Sequence, residues 1–174
     1  MGDGLRLDDL GARLRANADV IVALGVGVDD EQARWRPDPA QWSMLEVVNH
    51  LADEEVDDFR TRLDLTLHRP EEAWPRIDPQ KWVVERAYQQ CDLRESVERF
   101  RARRAETLAW LEGLAAPEWD RAHQHPRFGP IRAGDLMISW VAHDHIHIRQ
   151  LNRLHREFLA ASLPGNSPAY AGTW

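Results

Sequence analysis

GDLMISWVAHDHIHIRQLNRLHREF, residues 134–158, decides the fold of this chain. At about 100° per residue, the large apolar side chains of this stretch fall within one narrow sector of a helix. These apolar residues are Leu136, Trp140, Leu151, Leu154 and Phe158; His147 lies among them and His143 lies at their edge. The pattern predicts a long amphipathic helix that directs two imidazole rings toward a protein core.

His143 and His147 are four residues apart, so both rings lie on one face of the helix, where they can bind the same metal ion. His145 points to the opposite side, because it is two residues from each of them. The alternative is a pair of core histidines with ordinary hydrogen-bond partners. That alternative requires polar partners inside an apolar stripe, and a metal ion would supply them.

Composition indicates a globular protein of one domain. The chain has 174 residues, of which 43% are hydrophobic and eight are Trp, enough for a sizeable core. Its net charge of -7 argues against a nucleic-acid partner, which would favour a basic stripe. The N-terminus does not have the pattern of a secretory signal, and the longest apolar run is too short to span a bilayer. We therefore expect a cytoplasmic protein without a membrane partner.

Cys91 is the only cysteine, so no intrachain disulfide can form, and a reducing compartment is favoured. Cys91 lies just before a predicted helix start, where a helix dipole can lower the pKa of a thiol. It is therefore either a packing residue, which is the more frequent case, or a catalytic thiol.

Helical spacing of apolar residues and two capping-box patterns predict three further helices. The capping-box patterns are Ser43-Met-Leu-Glu46 and Asp92-Leu-Arg-Glu95. We predict long helices over residues 5–24, 43–67, 92–113 and 133–160, a short helix near 81–88, and loops elsewhere. The predicted fold class is all-α: a four-helix bundle over residues 1–160, followed by a tail at 161–174 that Tyr170 and Trp174 are expected to fasten.

The second predicted helix contains His50, which periodicity places at the margin of the buried face. Taken alone, the pattern favours a half-exposed histidine without a functional role. Glu54 lies one turn later on the same face, as does Asp57, so carboxylates are available as a ligand, a general base or a hydrogen-bond partner. A row of acidic residues on a helix is also the ordinary composition of a solvated face.

His123 and His125 lie in the loop that precedes the last helix. They can reach a metal ion or hold a substrate, but loop histidines two residues apart are more often surface residues. The sequence contains no glycine-rich phosphate loop, so it offers no argument for a nucleotide cofactor.

The chain resembles the DinB/YfiT-like family of bacterial metal-binding four-helix proteins in two segments. They are WRPDPAQWSMLEVVNHLADEE at 35–55 and FGPIRAGDLMISWVAHDHIHIRQLNRL at 128–154. The resemblance implies an up-down-down-up bundle and a homodimer. It also implies that His50, followed by Leu51, and the pair His143 and His147, followed by Arg149-Gln150, bind a divalent ion. Nickel and zinc are the first candidates for that ion, and iron and manganese are further candidates. The chain departs from the family at Ile131-Arg132-Ala133, where a small hydroxyl residue commonly precedes the fourth helix.

Three neutral histidines leave open positions on a metal ion, which is typical of catalytic sites. Such an ion can activate water for hydrolysis, with Glu54, Asp53 or His145 as the general base, or it can bind an external thiol. The family's relationship to bacillithiol transferases and mycothiol-dependent maleylpyruvate isomerase favours the thiol. We therefore expect an enzyme that transfers a low-molecular-weight thiol to a small electrophile, with Glu54 as the candidate catalytic residue. The alternatives are a metal-dependent hydrolase and a non-catalytic, metal-binding dimeric stress protein.

Overall fold

Four long helical segments form the frame of the computed structural model, which describes residues 6–172. In chain order the helices are α1 (Leu10–Gly25), α2 (Asp30–Arg34), α3 (Met44–Glu54), a π-helix (Glu55–Arg60), α4 (Thr61–His68), α5 (Pro79–Glu85), α6 (Leu93–Glu112) and α7 (Ala133–Ser162). Single turns of 3-10 helix occupy Leu7–Asp9, Tyr88–Gln90 and Pro168–Ala171. No helix within residues 6–172 is long and apolar enough to cross a membrane.

The long helices run up-down-down-up, as the family resemblance implied. α1 and α7 are parallel, and α3 and α6 are parallel, because side chains in the same order along each pair meet. The contacts are Asn17 with Asp144 and Leu24 with His155 for the first pair, and Asn49 with Ser96 and Glu55 with Arg104 for the second. A long crossover containing α5 joins the second parallel pair, since two parallel helices cannot be joined by a tight turn. The predicted all-α, four-helix fold is confirmed.

Most predicted boundaries agree with the structure to within two residues. α1 begins later than predicted, at Leu10 after a 3-10 turn, and the predicted start at residue 5 lies outside the described residues. The short helix predicted near 81–88 is α5, which ends three residues earlier, at Glu85. A short helix, α2, replaces part of a predicted loop, because the Asp29 carboxylate accepts a hydrogen bond from the Gln32 amide and caps it. Tyr170 is fully exposed and does not fasten the tail, and Trp174 lies outside the described residues.

A small β-hairpin occupies the segment before α7 that was predicted as a loop. Strands β1 (Ala122–His125) and β2 (Gly129–Arg132) pair in antiparallel register, and Gly129, the first residue after the turn, has a φ of 73°. Each strand has only four residues, which is too short for a clear period-two pattern in the sequence. The hairpin leads directly into α7, whose first amide, at Ala133, donates to the Arg121 carbonyl at 2.9 Å.

Helix caps explain where the site-bearing helices begin. The Ser43 hydroxyl accepts from the Glu46 amide and the Glu46 carboxylate accepts from the Ser43 amide, which is the complete capping box predicted for this helix. The Asp92 pattern gives only the first half of a box, a bond from the Glu95 amide. α7 has Arg132 instead of a small hydroxyl residue at its N-cap, and the Asp135 carboxylate accepts from the Arg132 amide at 3.0 Å.

Two apolar clusters divide the core along the bundle, and a buried polar layer lies between them. One cluster contains Ile21, Leu51, Phe100 and Leu151, and the other contains Leu14, Phe59, Leu108 and Trp140. Each of the four long segments contributes a buried polar residue to one hydrogen-bonded cluster that falls in sequence between members of the two apolar clusters. These residues are Asn17, Glu55, Arg104 and Asp144. The polar layer therefore joins all four segments at one level of the bundle.

Candidate metal centre

Three histidine side chains from α3 and α7 converge on one point. The Nε2 atom of His147 lies 3.1 Å from Nε2 of His50 and 3.1 Å from Nε2 of His143. Each residue offers a ligand atom within 4.8 Å of the other two. Two nitrogens bound to a common ion at about 2.1 Å would lie about 3.0 to 3.4 Å apart for ligand angles between 90° and 110°. The two spacings to His147 therefore match those of ligands that share one divalent ion.

His50 is buried, with only 4% of its surface exposed, although its periodicity placed it at the margin of the core. Every residue of α3 is buried, because the helix is covered on several sides. α6 and α7 cover one side, while α2, α5 and the loop at Trp42 cover others. A period of 3.6 residues identifies the apolar face of a helix. It does not show whether the opposite, polar face is buried as well.

Burial keeps two of the three rings neutral. Loss of solvent, followed by the nearby His143 ring, lowers the pKa of His50 to about 3 and that of His147 to about 3. His147 Nδ1 lies 2.8 Å from Oε1 of Gln150, so its Nδ1–H donates there and its Nε2 lone pair faces the cluster. Nδ1 of His50 is buried without a hydrogen-bond partner in residues 6–172. Neutral nitrogens that face one another in this way have the chemistry of metal ligands.

The Glu54 carboxylate enters the same cluster. Its Oε2 atom lies 3.0 Å from Nε2 of His143 and 3.6 Å from Nε2 of His50. The π-helix begins directly after Glu54, and Thr61 closes it by donating from its hydroxyl to the Val56 carbonyl at 2.7 Å. Single turns of π-helix occur frequently at functional sites, because they change the register of the residues that follow.

Asp58, one turn beyond Glu54, is a further buried carboxyl group near the cluster. Burial raises the pKa of Asp58 to about 6, against the opposing effect of Arg62, whose Nη1 lies 2.7 Å from the carboxylate. Glu54 also raises this pKa, so the two carboxylates repel each other.

The other predicted bases lie away from the cluster. Asp53 faces the crossover, where its carboxylate accepts from the Tyr88 hydroxyl at 2.6 Å and from Arg103 at 2.7 Å. Asp57 pairs with Arg86 at 2.8 Å. His145 is exposed on the outer side of α7, as its spacing predicted. Glu54 is therefore the carboxylate among the candidates that the fold brings to the histidines.

The remaining sequence candidates occupy other parts of the molecule. His123 donates from Nδ1 to the Pro70 carbonyl at 2.8 Å, and the Trp74 ring stacks on it at 4.5 Å. His125 accepts backbone amide bonds within its own turn. Cys91 is half-buried and packs against the core. None of these residues belongs to the histidine cluster found within the described part of the chain.

An open cavity of about 540 Å³ lies over the cluster. The Trp42 ring packs on His50 at 4.7 Å and forms one wall of the cavity, and Ile146 forms another. The polar lining comes from Gln41, Gln80, Gln150 and Arg153. A small molecule can therefore approach the histidine nitrogens from solvent through a partly apolar opening.

A buried ion cluster lies next to the site, and the sequence analysis did not identify it. Arg104 donates to Glu55 at 2.7 Å and to both oxygens of Asp144 at 2.9 Å. Burial raises the pKa of Glu55, while Arg104 opposes this effect. Glu55 follows Glu54 in sequence and Asp144 follows His143, so the ion cluster joins the two helices that carry the histidines. The sequence contains one signal for this cluster. Arg104 interrupts the apolar stripe of α6, with one apolar core residue four positions before it and another four positions after it.

Comparisons with known proteins agree with this architecture. A model of the DinB superfamily matches residues 13–151, a range that contains all three histidines. Among solved structures, the chain is similar to YfiT from Bacillus subtilis, described as a probable metal-dependent hydrolase with an unusual four-helix bundle topology. That match has a TM-score of 0.66 and 23% sequence identity, and it covers 87% of this chain and 83% of that chain. At 23% identity, the similarity to YfiT shows that the two proteins share a fold. A comparison with curated proteins finds no match.

Proposed function

This chain belongs to the DinB superfamily, and on that premise we propose that it is a metal-dependent enzyme that transfers a low-molecular-weight thiol to a small electrophile. The observation that carries the proposal is the convergence of three histidine nitrogens at the base of an open cavity. His50, His143 and His147 would hold a divalent ion, with nickel or zinc as the first candidates and iron or manganese next. Three neutral ligands leave positions open, as catalytic sites require.

A bound divalent ion would lower the pKa of a thiol or of water, so that the nucleophile is present in its ionised form near neutral pH. Gln150 fixes the tautomer of His147 by accepting its Nδ1–H bond at 2.8 Å. Glu54 Oε2 lies among the histidine nitrogens, where it can accept a proton from the nucleophile that enters the cluster. Trp42 and Ile146 supply apolar surface to the cavity lining.

Two observations favour a thiol from outside the protein as the nucleophile. The only cysteine, Cys91, packs against the core and is not part of the histidine cluster. The cavity of about 540 Å³ is also far larger than a water molecule needs and has the size of a small-molecule site. A protein that lacks its own nucleophile next to an open metal position is suited to recruit a soluble thiol.

Hydrolysis is the second candidate, and the position of Glu54 favours it. A carboxylate 3.0 Å from a candidate ligand nitrogen is placed to remove a proton from water as a general base. The same residues would then act on a small ester or amide. The third candidate function is metal binding without catalysis, which requires only the histidine cluster.

One experiment separates these functions. The protein is purified without a His tag, its metal content is measured, and it is incubated with small electrophiles and small esters in the presence and absence of low-molecular-weight thiols. We expect consumption of the electrophile only when metal and thiol are both present. Turnover with water alone would support hydrolysis, and no turnover would support a binding protein.

We also propose that the protein forms a homodimer, as the family resemblance implied. Ile138 on α7 is an exposed apolar residue outside the cavity lining, and a second copy can cover it. Sedimentation velocity measures this directly: a single species with the mass of one chain would overturn the proposed dimer.

A further inference from the structure

The cavity over the histidines continues along α7 into a second, smaller hollow. This hollow measures about 260 Å³ and shares Ile146, Gln150 and Arg153 with the larger cavity. It adds one new lining residue, Arg149. The two spaces therefore form one groove that begins at the histidine cluster and ends between two arginines.

Positive charge accumulates at the far end of this groove. Arg149 is exposed and has no ion-pair partner in the described part of the chain, residues 6–172. Arg153 donates from Nη2 to the Gln41 side-chain oxygen, and its Nε lies 3.8 Å from Glu157 without a hydrogen bond. One carboxylate thus faces two guanidinium groups, which leaves an excess of one positive charge in a protein whose net charge is -7.

The chemistry of that end is suited to a carboxylate. Guanidinium groups bind carboxylates and phosphates through paired N–H donors, and the bonds are stronger than those between neutral groups. The nearby Glu157 would repel the second charge of a phosphate more than the single charge of a carboxylate. An excess of one positive charge therefore matches a monoanion.

The position of the two arginines indicates the shape of the molecule that fits. Arg149 and Arg153 follow His147 by two and six residues on α7, so the arginine end of the groove lies to one side of the histidine cluster, toward the C-terminal end of the helix. Between the two ends, the groove is lined by the apolar Trp42 and Ile146 and by the amides of Gln41 and Gln150. The molecule that fits would be elongated, with a largely uncharged middle.

We propose that Arg149 and Arg153 form an anion-binding subsite, and that the small molecule taken by the groove carries a carboxylate at the end remote from the atom that enters the histidine cluster. This inference rests on the proposed function, because the entering atom is the sulfur of the thiol. Arg149 and Arg153 determine specificity and do not touch the reacting atoms.

The test uses binding to the cobalt-loaded full chain, followed through the absorbance band that a thiolate sulfur gives when it binds cobalt. The probes are mercaptohexanoate, whose carboxylate is separated from the sulfur by a five-carbon chain, mercaptoacetate, whose carboxylate is separated from it by a single carbon, and the uncharged carboxamide of each. We expect mercaptohexanoate to bind at least about tenfold more tightly than its carboxamide. Mercaptoacetate and its carboxamide should differ by much less.

Variants assign the preference to the subsite. The double substitution Arg149→Gln and Arg153→Gln should remove the preference for mercaptohexanoate and leave binding of its carboxamide unchanged, which also shows that the variant is folded. Arg156→Gln is the matched control, because Arg156 lies on the same helix but lines neither hollow. It should behave as the parent protein does.

The outcomes that overturn the two proposals are different. Equal binding of mercaptohexanoate and its carboxamide, or a preference that survives in the double variant, would overturn the anion subsite and leave the thiol function standing. Absence of the absorbance band with every thiol, in a protein that holds cobalt, would overturn the thiol function and this inference with it.

Discussion

Acidification of the metal-free protein should destabilise it through the two buried rings of the histidine cluster. His50 and His147 have pKa values of about 3 in the folded protein, against an ordinary value of 6.5. Between these values the unfolded chain binds protons that the folded chain does not, so the stability contribution is complete above pH 6.5 and falls as the pH falls. At 1.36 kcal/mol per pH unit, each ring costs about 2 kcal/mol at pH 5, or about 4 kcal/mol for both.

A buried carboxyl group acts in the opposite direction. The pKa of Asp58 is raised to about 6 from an ordinary 3.8, so the folded chain takes up this proton first and gains stability as the pH falls. At pH 5 that gain is about 1.4 kcal/mol, so it offsets part of the stability that the two histidines lose. The comparison must therefore be made between two proteins that share Asp58.

The assay is urea unfolding, followed by circular dichroism in the presence of a chelator, near neutral pH and near pH 5. The parent protein is compared with the double variant His50→Gln and His147→Gln, whose side chains do not titrate. Between the two pH values, the parent should lose about 4 kcal/mol more of its free energy of unfolding than the variant. Equal losses in the two proteins would refute the reasoning, because the rings would then titrate normally in the folded state.

Three further substitutions test other parts of the structure. Arg104→Met leaves Glu55 and Asp144 buried without their cation, so the free energy of unfolding measured with urea should fall by about 3 to 5 kcal/mol; a loss below about 1 kcal/mol would show that the carboxylates are neutral without it. Glu54→Gln should retain metal, measured by elemental content, and lower kcat by about a hundredfold or more, and an unchanged kcat would exclude proton transfer by this residue. Cys91→Ser should keep the thiol-dependent rate; loss of that rate in a folded, metal-containing variant would place the nucleophile on the protein.

Helix boundaries and the histidine pair were predictable because both depend on local rules. Periodicity located α7, and a spacing of four residues placed His143 and His147 on one face. The complete capping box at Ser43 and Glu46 fixed the start of α3, since its two hydrogen bonds involve residues only three apart. Local patterns of this kind predict the local structure of the folded chain wherever tertiary contacts do not override them.

The burial of His50 and the ion cluster were not predictable from local pattern. His50 is buried because α3 packs against α5, α6 and α7, which are far from it in sequence, and because the Trp42 ring packs on the imidazole. The π-helix begins directly after Glu54, and in it the charged Glu55 is buried whereas the apolar Val56 is only half-buried, which reverses the order expected from polarity. Arg104 then pairs with Glu55 across the bundle. Among the sequence features, only the family resemblance implied a ligand role for His50.

Divalent-metal binding by the untagged protein tests the central proposal most directly. Titration of the chelator-treated protein with nickel or zinc should show one ion per chain. His147→Ala should weaken binding by more than the ten- to hundredfold expected from the loss of an outer-shell partner alone. His145→Ala is the matched control on the same helix, and because His145 is exposed and outside the cluster it should bind metal as the parent does. Parental affinity in the His147 variant, or loss of metal from a folded His145 variant, would contradict the assignment of the three-histidine centre.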